Sequence, residues 1–173
     1  MMSVLLDLIE PGLKTLFCGS AASTTSARRK AYYAGPGNQF WSILQQTCMT
    51  PRLFEPKEYR LLADLGIGLT DLAKHEFWMD GDLSTAAYDV QGLIKKVENA
   101  RPHILAFTGK HSTGIFLLEA LGAGITNYGE QNSSIGDTRI FVLPSPSGAA
   151  RRWWSSEPWH TLATTHKTLR EKG

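Results

Sequence analysis

Short apolar runs alternate along the chain with stretches whose apolar residues recur at helical spacing. That alternation is the pattern of a parallel or mostly parallel sheet with helices on both faces. Residues 14–19 predict the first strand, which runs out into Gly19-Ser20-Ala21-Ala22-Ser23. In such a loop of small residues, backbone N–H groups can approach a ligand closely. Residues 39–48 predict a helix with Phe40, Ile43 and Leu44 on one face and Asn38 as its N-cap. Residues 56–65 predict a second helix opened by proline, and residues 66–72 a second strand. The longest helix is expected over residues 84–100, opened by a capping serine and closed before Arg101-Pro102. Strand three follows at 103–108, a helix at 113–121, strand four at 138–143 and a last helix at 158–170.

All four strands end in polar or glycine-bearing loops: residues 19–23, Thr70-Asp71, Gly109-Lys110 and residues 145–148. Ligands of open α/β sheets bind beyond the carboxyl ends of the strands. The four loops are therefore expected to converge on one site. A dinucleotide fold would need Gly-x-Gly-x-x-Gly after the first strand, where this chain has one glycine. A P-loop would need a further upstream glycine and a hydroxyl after Gly109-Lys110, where His111 stands instead. No His, Cys and carboxylate cluster has metal-ligand spacing, so no metal is expected.

The length of 173 residues supports one sizeable core, and 42% hydrophobic with 20% charged residues is ordinary for a globular domain. A single domain over residues 1–173 is expected. No apolar run reaches the roughly 18 residues of a membrane span. Asp7 and Glu10 also fall where a secretory signal would be basic and then apolar. The expectation is an intracellular protein without a membrane partner. Cys18 and Cys48 lie too far apart for a CxxC motif and read as packing residues.

A net charge of +2 permits a polyanionic partner without demanding one, so the placement of the cations decides. Arg28-Arg29-Lys30 precedes Tyr32-Tyr33, two aromatics expected to be exposed, and Arg151-Arg152-Trp153-Trp154 follows the last strand's loop. Cations beside aromatics at a shared mouth suit a phosphate backbone and a stacked base.

Four stretches then carry a resemblance. Phe17-Cys18-Gly19, Ala34-Gly35-Pro36-Gly37-Asn38-Gln39-Phe40-Trp41, Leu105-Ala106-Phe107-Thr108-Gly109-Lys110 and Val142-Leu143-Pro144-Ser145-Pro146-Ser147-Gly148-Ala149-Ala150-Arg151 resemble the uracil-DNA glycosylase superfamily. The likeness is nearest to the mismatch-specific uracil and thymine DNA glycosylases, and Gly19-Ser20 with Tyr32-Tyr33-Ala34 is also similar to the hypoxanthine-DNA glycosylase branch. It spans about residues 13–151 and leaves the last helix unassigned. The resemblance implies a three-layer α/β/α sandwich around a mostly parallel four-stranded sheet. It implies a monofunctional DNA glycosylase that flips a deaminated base, cleaves the N-glycosidic bond and leaves an abasic site, without a cofactor. A monomer acting on uracil-containing DNA in the cytoplasm, on the nucleoid if the source is bacterial, is expected.

By position, Tyr33 matches the aromatic that stacks on the flipped base, with Gly19, Ser20 and Ala21 forming the base-binding loop. Asp71 falls where thymine glycosylases carry a base-reading asparagine. Asn38 belongs to the Pro-x-Asn-x-Phe-Trp stretch, where a catalytic role competes with a helix cap. Ser145, Ser147, Gly148, Ala149 and Arg151 resemble the loop that enters the minor groove. Arg28, Arg29, Lys30 and Lys110 are expected to grip phosphates.

Three departures matter. The mismatch-specific enzymes have a water-orienting asparagine where Ala21 stands, and some branches with alanine here work through a polar residue elsewhere. Ser145 replaces an asparagine or histidine near the developing anion, and Ala149 replaces a bulky wedge. Asp71 is therefore the candidate either to read the base edge or to position water. Ser145 is the candidate hydrogen-bond donor to the anion. The rival expectation is a lesion- or abasic-site-binding protein with little or no turnover.

Overall fold

A computed structural model of the chain describes residues 4–74, 88–125 and 127–169. Its centre is a sheet of strands β1 (Thr15–Ala21), β2 (Ile67–Ala73), β3 (Ile104–Phe107), β4 (Gly129–Ile135) and β5 (Thr138–Val142), in the order β2-β1-β3-β5-β4. All pairings are parallel except β4 with β5.

Side chains alternate across the sheet because successive residues of a strand point to opposite faces. Phe17, Leu69, Ala106 and Phe141 enter one core, against α2 (Phe40–Gln46), a 3₁₀ segment (Pro56–Leu65) and α5 (Glu157–Thr168). Leu16, Cys18, Leu105, Phe107 and Ile140 enter the other, against α3 (Val90–Ala100) and α4 (Lys110–Leu121). The result is the expected three-layer α/β/α sandwich.

The strand count is corrected from four to five. β4 reads Gly-Glu-Gln-Asn-Ser-Ser-Ile and buries only Gln131, so it has no apolar run to announce it. As the sheet edge it needs few inward side chains, and its Glu130 holds Arg139 of β5 at 2.6 Å. A short helix, α1 (Thr24–Arg29), was also without sequence signal. Ser23 caps it by accepting from the Ser26 N–H at 3.1 Å, and only Ser26 is buried.

Boundaries move for local reasons. The serine cap expected at Ser84 lies outside the described residues, and α3 is capped by Asp89, whose Oδ1 accepts from the Gly92 N–H at 2.9 Å. α2 starts at Phe40, and Asn38 Oδ1 accepts from the Phe40 N–H at 2.9 Å from one residue further out than the cap position. α4 begins three residues early, at Lys110, directly after β3. The end of the last predicted helix, Arg170, lies outside the described residues. No described helix is long and apolar enough to cross a membrane.

α5 carries a buried titratable group. His166 bonds through Nδ1 to Thr15 Oγ1 at 2.8 Å, and burial together with the Lys14 charge lowers its pKa to about 4. A depressed histidine pKa favours the neutral folded form, so its contribution is full above about 6.5 and is lost as the pH falls toward 4. We expect the stability advantage of the parent over His166→Gln to shrink by about 3 kcal/mol between pH 7 and pH 4. Urea midpoints measured across that range test this, and parallel curves for the two proteins would contradict it.

Candidate active site

The carboxyl ends of β1, β2 and β3 and the loop leaving β5 surround a cavity of about 300 Å³. That volume suits a small planar ligand. The register explains its floor. Gly19 of β1 lies opposite Asp71 of β2, and Thr108 follows β3 directly, its N–H donating to the Cys18 carbonyl at 3.0 Å. A Cβ on Gly19 would meet Asp71 Oδ1 at 2.6 Å, Tyr33 Oη at 3.5 Å and Thr108 Oγ1 at 3.6 Å. Three polar side chains thus close over one glycine, and any larger residue there would displace the carboxylate.

Tyr33 supplies the aromatic wall. Its ring stacks on buried Phe40 at 3.9 Å between centroids and 16° between planes, and its hydroxyl bonds Thr108 Oγ1 at 3.0 Å. Burial and the Asp71 charge push the Tyr33 hydroxyl well above its ordinary pKa, so it acts as a neutral group. Tyr33 has φ of +53°, a left-handed conformation that a non-glycine residue adopts only when its surroundings impose it. The surroundings are specific: Trp41 Nε1 donates to the Tyr32 carbonyl at 3.1 Å, and the Ala34 N–H donates to Ser26 Oγ at 2.9 Å. The two neighbouring tyrosines both border the cavity, their ring centroids 6.3 Å apart. Tyr32 is 1% exposed, which corrects the expectation of two exposed aromatics.

Asp71 is 6% exposed and stands beside Lys74, a charged group with no motif to announce it in the sequence. Lys74 Nζ lies 3.9 Å from Asp71 Oδ2 and 2.9 Å from Asp7 Oδ1, and donates to Tyr32 Oη at 3.1 Å. Lys96 reaches Asp7 Oδ2 at 2.7 Å, and Thr70 Oγ1 donates to Asp7 Oδ1 at 2.7 Å. Burial raises the Asp7 pKa, but Lys74 and these hydrogen bonds outweigh it, and the net shift is downward. Burial raises the Cys18 thiol well above its ordinary value, which suits a packing residue.

The outer wall comes from two interlocked loops. The Gln39 N–H donates to the Pro146 carbonyl at 2.8 Å, and a Cβ on Gly148 would meet the Pro36 carbonyl at 2.7 Å. Glycine at 148 therefore lets the backbones touch. Ser145 Oγ accepts from the Ser147 N–H at 3.3 Å, and Ser147 Oγ from the Ala149 N–H at 3.3 Å. Asn38, Ser145, Ser147 and Ala149 all border the cavity, as do Ser20 and Ala21. A second cavity of about 260 Å³ continues from the first past Asn38 and Ser147, with Thr24 and Thr25 on its far wall.

The expected cations do not join the cavity wall. Arg28, Arg29 and Lys30 are exposed at the end of α1. Lys110 sits over the Tyr128 ring at 4.8 Å, and Arg151 reaches back to the Gly37 carbonyl at 3.5 Å. Trp153, by contrast, borders the cavity while 64% exposed, with the Arg152 guanidinium 4.8 Å from its ring centre. Its neighbour Trp154 is half-buried, 5.9 Å from Trp159. Thr108 and Trp153 thus join the site. Their signals were a hydroxyl at a strand end and an aromatic following a basic loop.

A carboxylate, two hydroxyls and an aromatic face line the inner cavity, with serine and asparagine side chains at its entrance. This arrangement can stack a planar ring and hydrogen-bond its edge. A model of the uracil DNA glycosylase superfamily matches residues 6–167 of the chain. A solution NMR structure described as a putative uracil DNA glycosylase from Methanosarcina acetivorans is similar in fold, with a TM-score of 0.64 and 23% identity over 94% of this chain and 96% of that one.

Proposed function

The chain belongs to the uracil DNA glycosylase superfamily, and on that premise we propose that it flips uracil or a related deaminated base out of DNA and hydrolyses the N-glycosidic bond. The observation that carries this reading is the convergence of Asp71, Tyr33 and Thr108 over Gly19 inside a cavity of base size. The extruded base stacks on Tyr33, whose other face Phe40 holds. Asp71, an acceptor when ionised, takes the ring N–H that uracil and hypoxanthine both present, and the Thr108 hydroxyl can donate to a ring carbonyl.

Departure of the base leaves its bonding pair on the ring nitrogen, and a donor such as the Ser145 hydroxyl stabilises that anion. Water adds to the sugar C1′, and the proton it loses ends on the released base. Ala21 offers only its backbone, and with Asp71 on the base edge the water falls to Asn38, which borders the entrance with Oδ1 on the Phe40 N–H. The product is an abasic site, and the chemistry needs no cofactor.

Trp153 answers the small residue at Ala149. An exposed indole at the rim can stack where the base has left, with Arg152 and Arg151 near the phosphates. Trp153→Ala is expected to lower base release from uracil·adenine duplexes about tenfold while leaving single-stranded substrate nearly unaffected. Equal loss on both substrates would remove Trp153 from the extrusion step.

The reading is tested with labelled oligonucleotides carrying uracil in single strands, opposite guanine and opposite adenine, with deoxyinosine alongside. Release of one of these bases, seen as alkali-labile sites, supports it. Lesion-selective gel shifts without any release would instead make the protein a binder of damaged sites.

A further inference from the structure

Two lysines and two aspartates gather behind the cavity floor, a cluster that base stacking and base release do not by themselves require. Lys74 is 8% exposed and Asp71 6%, and their charged atoms lie 3.9 Å apart. Lys74 also contacts Asp7, which in turn holds Lys96. A carboxylate buried this far loses hydration and is driven toward its neutral acid unless a cation offsets the loss. The neutral acid could not accept a ring N–H in the way the ionised group does.

The described groups facing Asp71 come from every side. Cys18 lies on β1, Tyr32 and Tyr33 follow α1, Lys74 continues β2, Lys96 lies on α3 and Asp7 in the N-terminal segment. Burial keeps the thiol and both phenols neutral. Among the described residues the charges in play are therefore two positive and two negative. Lys96 reaches Asp7 at 2.7 Å, and Lys74 bridges the two carboxylates, 2.9 Å from Asp7 and 3.9 Å from Asp71.

We propose that Lys74 is a positioning residue that keeps the Asp71 carboxylate ionised and fixes Oδ2, so that Oδ1 stays aimed across Gly19 at the bound base. The proposal rests on the role given to Asp71 above. It makes the acid limit of base release a property of the ion pair. Without Lys74, the carboxylate takes up its proton at higher pH and the floor loses its acceptor.

The test is the pH dependence of single-turnover base release by the parent, Lys74→Met and Lys74→Arg, together with a carbon-13 titration of the Asp71 carboxyl in the free proteins. In Lys74→Met the acid limb and the carboxyl titration should both move up by about one to three pH units. The rate should recover at high pH, and Lys74→Arg should restore both positions. An unmoved titration, or a loss of rate uniform across pH, would overturn the proposal. If Lys74→Met does not fold, Lys74→Met/Asp7→Asn removes one cation with one anion and is judged by the same two shifts. The carboxyl titration reads the ion pair whether or not base is released, so failure of the proposal and failure of the glycosylase reading are told apart.

Discussion

Asp71→Ala is expected to slow base release from uracil-containing DNA by about a hundredfold or more, the scale on which positioned catalytic and hydrogen-bonding groups act. The physical reason is the crowding over Gly19. Asp71 Oδ1 lies 2.6 Å from where a Cβ would stand on that residue, so this carboxylate stands directly over the glycine at the cavity floor. The substitution should leave the fold intact, because Lys74 retains Asp7 at 2.9 Å and no lysine is stranded. Single-turnover rates measured beside a thermal melt separate the two effects. Asp71→Asn should fall between parent and alanine, since an amide oxygen still accepts but without charge. Rates within a few-fold of the parent in Asp71→Ala, with an unchanged melt, would take the residue out of the mechanism.

The second large effect is on stability. Trp159 of α5 is 1% exposed, stacks against Phe17 at 5.8 Å, meets Phe40 edge-on at 6.0 Å and donates through Nε1 to the Pro144 carbonyl at 3.1 Å. It ties the last helix to the first strand, to the ring that backs Tyr33 and to the loop leaving β5. Trp159→Ala should cost about 3–5 kcal/mol in urea unfolding, the range for removing a large buried aromatic. Trp159→Phe should recover most of the packing and leave the Pro144 carbonyl without its donor, at about 1–3 kcal/mol. A loss under about 1 kcal/mol for the alanine variant would mean that α5 is peripheral to the fold. The resemblance in sequence stops short of this helix, yet the superfamily match extends through it to residue 167.

What was legible in the sequence follows from which signals are local. Leu16-Phe17-Cys18, Leu105-Ala106-Phe107 and Ile140-Phe141-Val142 are buried on both faces of the sheet, and such strands read as continuous apolar runs. Gly19 and Gly148 were visible because they punctuate the ends of those runs. β4 was not, since an edge strand that buries one glutamine has a polar sequence. α1 is held by a serine cap rather than by an apolar stripe.

Neighbouring aromatics were harder still. Tyr32 and Tyr33 are adjacent, chemically alike and both at the cavity, yet Tyr32 is buried on Lys74 and the Leu6 carbonyl while Tyr33, at a left-handed turn, reaches Thr108. Trp153 and Trp154 part without such a turn, one to the rim and one toward Trp159. At the site, Asp71 was found from its place at a strand end. Its companions Thr108 and Tyr33 are brought to it by strand register and loop closure, which no single stretch of sequence encodes.

A catalytic cavity differs from one that merely holds a flipped base in turning over. A labelled oligonucleotide carrying uracil, supplied in excess over the protein and cleaved with alkali after incubation, distinguishes the two. More than one alkali-labile site per protein molecule is expected, lost in Asp71→Ala. Tight binding of the lesion with no abasic product, at any ratio of protein to DNA and with deoxyinosine as with uracil, would contradict catalysis by this cavity.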